Sequence, residues 1–196
     1  MPRISAPTLA EHRARQKRAL LDAATRILVS EGPQAVTPAA VGAAAGLARS
    51  SVYQYFRSGG AIIAAIIEES FPRSAERLRA AVEGLTEPLE VMEAFLREML
   101  RQAADGVHRP AAALRGAELP PECVARLAEL HDEQIAPFRE ALLALGLPSP
   151  AVTGALVGGM IEAAVRAVDD GADLEEVTRE TLRLLRAAVG SARSTV

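Results

Sequence analysis

On a 3.6-residue wheel drawn over residues 49–56, Arg49, Ser50, Tyr53 and Gln54 share one face, while Val52 and Phe56 share another flanked by Tyr55. The first face carries a guanidinium, a hydroxyl, a phenol and a carboxamide, and no apolar side chain on it needs burial. In a major groove, arginine can fork onto guanine, glutamine onto adenine, and hydroxyls can donate to phosphate oxygens. That chemistry suits a helix laid against DNA. The plainer alternative is the solvated side of an ordinary helical hairpin.

The stretch 37–58, TPAAVGAAAGLARSSVYQYFRS, must position those groups. Thr37 is expected to cap a short helix by accepting from its backbone N–H groups, and Pro38 suits the first helical position. Gly46 supplies a left-handed residue that ends this helix, and Leu47 turns inward. A second helix is predicted over 49–56. Ser58 caps the next one and offers backbone N–H groups near a phosphate. Two short helices joined by a glycine turn make a helix-turn-helix.

Thr37, Val41, Gly42, Ala45, Gly46, Ser51, Val52, Tyr53, Tyr55 and Phe56 stand in the order and spacing of a known signature. It is roughly T-x-x-x-I-A-x-x-A-G-(small)-x-x-(S/T)-hydrophobic-Y-x-(Y/H/N)-F-x-x-K, and the chain resembles the TetR family of transcriptional regulators. The resemblance implies a homodimer that binds a palindromic operator, acts as a repressor and is released by a small molecule. Arg49, Ser50 and Gln54 are assigned to bases; Thr37, Ser51, Tyr53 and Tyr55 to phosphates, with Ser58 beside them. Two positions depart from the pattern. Ala48 stands where Ser or Thr would cap the second helix, a loss of ~0.5–2 kcal/mol of local stability. Gly59 and Gly60 stand where the family commonly carries a phosphate-contacting lysine, which lowers the salt slope of binding by about one unit per subunit.

The net charge of −3 taken alone argues against nucleic acid, but its distribution does not. Residues 1–58 hold eight basic and three acidic side chains, a net of +5. The remaining 14 basic and 22 acidic residues give −8. A basic N-terminal part on an acidic body fits a DNA reader with a separate second domain. Arg13, Arg15, Lys17 and Arg18 cluster in the first helix, where phosphate contact competes with plain solvation. Aromatic residues are only 3% and Trp is absent, so the cores must be aliphatic. Alanine and leucine favour helices, and an all-α fold of about nine helices follows. The single cysteine, Cys123, leaves no internal disulfide, and the N-terminal residues lack the apolar stretch of a signal peptide. The apolar run 151–168 is broken by Glu162 and Arg166. A cytoplasmic protein that does not enter the membrane is expected.

Three regions are expected: a flexible arm at 1–10, a three-helix helix-turn-helix domain at 11–58, and a helical ligand-binding and dimerisation domain at 59–196. The first helix is placed at 11–30, stopped by Gly32-Pro33. The fourth keeps its apolar phase through Pro72, so one long helix is expected to join the domains, kinked at the proline. Further helices are expected at 88–104, 111–117 and 121–145. The last two are expected at 150–169 and 173–190, and the first of them faces both ways: Val152, Leu156, Met160, Ile161, Val165 and Val168 form one apolar side, and small residues form the other, which the final helix covers only in part. A second copy packed there as a four-helix bundle would cover what one chain leaves bare.

For the second domain the resemblance implies a pocket for an unidentified small-molecule effector. Phe95, Met99, His131, Phe138 and Met160 are read as inward stripes bounding it, with Glu162 as a polar candidate; His131 reads more readily as a hydrogen-bonded core histidine. No catalytic constellation, phosphate loop, metal-ligand spacing or cofactor motif is visible. Glu129 and Glu133, one turn apart beside His131, read as a solvated charged face next to a core histidine, not a metal site. The chain is therefore not expected to be an enzyme. The competing reading is an all-α small-molecule-binding or scaffold protein with a non-functional helix-turn-helix.

Overall fold

Alanine and leucine dominate the sequence and β-branched runs are scarce, and in the computed structural model, which describes residues 6–114 and 117–193, the regular elements are helices. Among the described residues these are α1 (Ala6–Glu31), α2 (Pro38–Ala44), α3 (Arg49–Val52), α4 (Gly59–Val82), α5 (Pro88–Ala104), α6 (Arg109–Leu114), α7 (Pro121–Ala144), α8 (Pro150–Asp169) and α9 (Leu174–Arg193), with a 3-10 turn at Pro33–Ala35. The all-α expectation holds. Residues 6–10 of the expected arm are instead the first turn and a half of α1. Pro7 falls where the missing N–H has no intrahelical partner to lose, so the helix extends through it. Residues 1–5 lie outside the described part.

The chain forms two compact units, Met1–Ser70 with Arg109–Leu127, and Phe71–His108 with Ala128–Val196. The sequence places the division at 58/59, ahead of α4, whereas the units part inside α4 and again inside α7. The reason is the isoleucine-rich start of α4: Ile62, Ile63, Ile66 and Ile67 are all buried and belong to the first unit. That unit is completed by Leu20, Ala24, Ile27 and Leu28 of α1, with Val36, Val41, Val52 and Phe56. Burying such side chains is worth ~1.5–3 kcal/mol each before chain entropy is counted. Arg126 of α7 forks onto Glu68 of α4 through Nε–Oε1 at 2.6 Å and a second nitrogen–Oε2 pair at 3.2 Å.

In the second unit, α5, α8 and α9 pack on one another around Met92, Phe95, Leu96, Leu100, Phe138, Leu142, Val157, Ile161, Val165, Leu182 and Leu185. Phe95 and Phe138 meet with ring centroids 5.5 Å apart, tilted by 51°. Asp173 caps α9 by accepting from Glu176 N at 2.8 Å, and Glu175 and Glu176 oppose the positive end of its dipole. α4 runs through Pro72 without interruption. α8 is long and apolar enough to cross a membrane by length and composition. Its Glu162 and Arg166 are both exposed.

Of the two α7 residues read as inward, Phe138 is buried and His131 is not. Phe138, Leu142 and Leu145 are buried, but Val124 is 50% exposed and His131 is exposed. The inward positions there are Cys123, Leu130 and the half-buried Gln134, one residue out of phase with Val124 and His131. A glutamine does not read as core while Val124 does, and that shifts the apparent register.

Candidate nucleic-acid interface

The turn between α2 and α3 is built as the residue types dictate. Thr37 Oγ1 accepts from Ala40 N at 3.1 Å, and Pro38 opens α2. Gly46 adopts φ 68°, the left-handed region that a side chain disfavours. Ser58 Oγ accepts from Ala61 N at 3.1 Å at the start of α4. Ala48 makes no side-chain cap to α3.

α3 is shorter than the expected helix over 49–56. After Val52 the backbone tightens: Gln54 N bonds to Ser51 O at 3.2 Å and Tyr55 N to Val52 O at 2.9 Å, both three-residue spacings. An uncapped start, a β-branched Val52 and aromatic residues at 53, 55 and 56 all weaken α-helix propagation. The faces nonetheless stay sorted. Arg49, Ser50, Tyr53 and Gln54 are exposed, Ser51 and Tyr55 half-buried, and Val52 and Phe56 buried at 0% and 4%.

Within the exposed face, Arg49 donates to the Tyr53 hydroxyl at 2.9 Å, with its guanidinium carbon 5.5 Å from the ring centroid. The arginine is thus held at the surface beside Ser50 and Gln54. Tyr55 donates its hydroxyl to Gln16 Oε1 of α1 at 2.7 Å, so its only proton is committed inside the protein. A phosphate oxygen only accepts, which makes Tyr55, while that bond stands, a residue that positions α3 on α1. Gln16 itself was not legible as a site residue, because 39 positions separate it from Tyr55.

Arg13, Arg15 and Lys17 of α1 are exposed and make no ion pair among the described residues. Arg18 is tied to Glu69 at 3.0 Å and Asp22 at 3.5 Å. Gly59, where a lysine was expected from the resemblance, has a structural reason. A Cβ there would lie 2.3 Å from the Val36 carbonyl oxygen. The close approach of α4 to the chain ahead of α2 leaves no room for a side chain.

The six effector-site candidates divide. Phe95 and Phe138 are buried in the second unit's core, and Met99 and Met160 pack partly buried against it. His131 and Glu162 do not join them: both side chains are exposed, on the outward faces of α7 and α8. No group of His, Cys, Asp and Glu that could hold a metal occurs among the described residues.

Residues 20–66 match the family model described as bacterial regulatory proteins, tetR family. No curated protein matches the chain. Solved structures share its fold along most of their length. AibR, in complex with isovaleryl coenzyme A and operator DNA, superposes with a TM-score of 0.73 at 16% identity, covering 86% of this chain and 97% of that one. FadR from Bacillus subtilis, in complex with stearoyl-CoA, gives 0.71 at 19% identity over 87% and 98%. A TetR-family transcriptional regulator from Bordetella parapertussis 12822 gives 0.71 at 22% identity over 86% and 92%. The helix-turn-helix segment is of the TetR type, and the fold is that of the TetR-family regulators.

Proposed function

From this TetR-type segment and fold, we propose that the protein is a ligand-responsive transcriptional repressor in the cytoplasm, binding a palindromic operator as a homodimer and carrying no enzymatic activity. The observation that carries the reading is the exposed quartet Arg49, Ser50, Tyr53 and Gln54 above the buried Val52 and Phe56. Arg49, Ser50 and Gln54 would read bases. Ser51, Tyr53, Thr37 and Ser58 would meet phosphates, the last two through the α2 and α4 starts that they cap, with Arg13, Arg15 and Lys17 adding charge. Tyr55 would keep α3 seated through Gln16.

Two copies joined through α8 and α9 would present their α3 helices to successive major grooves, about 34–36 Å apart. The effector would enter the second unit beside Phe95, Met99, Phe138 and Met160. The complexes of AibR and FadR make acyl-coenzyme A esters the first effector class to test. A hundredfold release of DNA needs only ~2.7 kcal/mol of coupling. α4 and α7 both run on from one unit into the other and are the candidates to carry it.

Fluorescence anisotropy with the DNA flanking its own gene, at two salt concentrations, tests the reading. The expected result is saturable, salt-sensitive binding that exceeds binding to scrambled DNA and weakens when the effector is added. Equal affinity for both duplexes, or none for either, would favour an all-α ligand-binding protein with an inactive helix-turn-helix.

A further inference from the structure

An open cleft of about 430 Å³ lies within the second unit, lined by Arg77, Ala80 and Ala81 of α4 and by Ala94, Arg97, Glu98 and Arg101 of α5. Three of its seven lining residues are arginines and three are alanines, in a part of the chain, 59–196, whose net charge is −8. Such a local reversal of sign attracts an anion that the surrounding surface repels.

The one carboxylate in the lining offsets one of the three positive charges and holds two of the arginines in place. Glu98 is only 6% exposed and is saturated from within: Oε1 accepts from Arg77 Nε at 2.8 Å and from Gln102 Nε2 at 3.1 Å, and Oε2 faces Arg101 at 3.2 Å. A second Arg77 nitrogen reaches Asp105 at 3.1 Å. Arg101 keeps further N–H groups free of the carboxylate, and Arg97 makes no ion pair among the described residues. The bracing continues inward. Gln102 bonds to Ser74 of α4, donating to its carbonyl at 3.3 Å and accepting from its hydroxyl, and Gln134 of α7 donates to the same hydroxyl at 2.6 Å. With Arg77 held between Glu98 and Asp105, Arg101 set against Glu98, and Arg97 without an ion pair among the described residues, Arg97 and Arg101 are left to meet an oxyanion beside the three alanines.

We propose that this cleft between α4 and α5 binds a phosphate-bearing small molecule, with Arg97 and Arg101 as its direct ligands and Glu98 as the positioning residue. The lining includes none of the core residues assigned to the effector, and the site stands whether or not α3 binds DNA. A diphosphate is the fitting probe, because it can engage two guanidiniums at once.

Calorimetric titration of the full chain with inorganic pyrophosphate, and separately with ADP, tests the proposal. Saturable binding of at least one probe is expected, weakened about tenfold or more by Arg97→Ala and by Arg101→Ala. Arg183→Ala, which removes an exposed arginine of α9, is expected to leave binding unchanged. Tighter binding of ADP would assign the alanine floor to the nucleoside; equal binding would assign the site to the free oxyanion. No saturable binding of either probe, or unchanged affinity in a folded Arg97→Ala variant, overturns the proposal. The titration contains no DNA, so its failure leaves the assignment of α3 standing.

Discussion

α3 and α8 each leave one face uncovered in the single chain, and the two faces differ in what water does to them. The face of α3 is a guanidinium, a hydroxyl, a phenol and an amide, all solvated, so it can stand open at no penalty. The face of α8 includes Val152 and Leu156, 61% and 71% exposed, and on α9 Leu184 is 41% exposed. Leaving apolar area in water costs ~25 cal/mol per Å². An open polar face is compatible with waiting for a partner, whereas an open apolar face gains by being covered. The first fits the proposed transient encounter with DNA, the second the proposed association with another copy.

The sharpest way to break that comparison is Leu156→Glu. It should hold the chain as a single copy in sedimentation equilibrium and lower operator affinity by ~100-fold or more, since the two half-sites would no longer be bound together. An unchanged dimer would move the interface off α8. Arg49→Ala should act on the other face alone. The protein should stay folded and associated, but lose about 1–3 kcal/mol of operator binding and its base preference at one position per half-site. Competition with single-base operator variants reads that outcome, and unchanged specificity would remove Arg49 from the base contacts.

Smaller effects probe the frame that holds α3. Gly59→Ala brings a Cβ against the Val36 carbonyl and should destabilise the chain by about 1–3 kcal/mol in urea unfolding. The weakest is an acid effect. The Arg126 side chain, hydrogen-bonded to Glu68, holds that carboxyl below its ordinary pKa. A carboxyl lowered on folding stabilises above its unfolded pKa and loses that contribution as pH falls through the lowered value. Both side chains are largely exposed, so Arg126→Ala should remove only ~0–1 kcal/mol, and the difference from the parent should vanish at strongly acidic pH.

Most of the helical layout was legible because the stops are local. Thr37, Pro38, Gly46 and Ser58 act on backbone within four residues of themselves, and each does in the structure what its type dictates. Legibility failed where the decisive contact was distant or polar. Nothing local marks Gln16 as the partner of Tyr55. In α7, Cys123 and Gln134 point inward while Val124 and His131 do not, so an apolar pattern put a histidine into the core and the structure returned it to solvent. Glu162 was misplaced for the same reason: α8 is apolar nearly all round, and its pattern alone does not say which side the chain covers. The end of α3 was overestimated because a wheel orders side chains without weighing the missing cap at Ala48.

The contact between Gly59 and the Val36 carbonyl has a consequence for how this protein's grip can be tuned. A point mutation cannot install a cation at residue 59 without prising the start of α4 away from the preceding strand of chain, and residue 60 is hemmed by Pro120 at 3.1 Å. Evolution or an engineer seeking stronger attachment is steered elsewhere, to the solvent-facing positions of α1, where a new charge meets no obstacle.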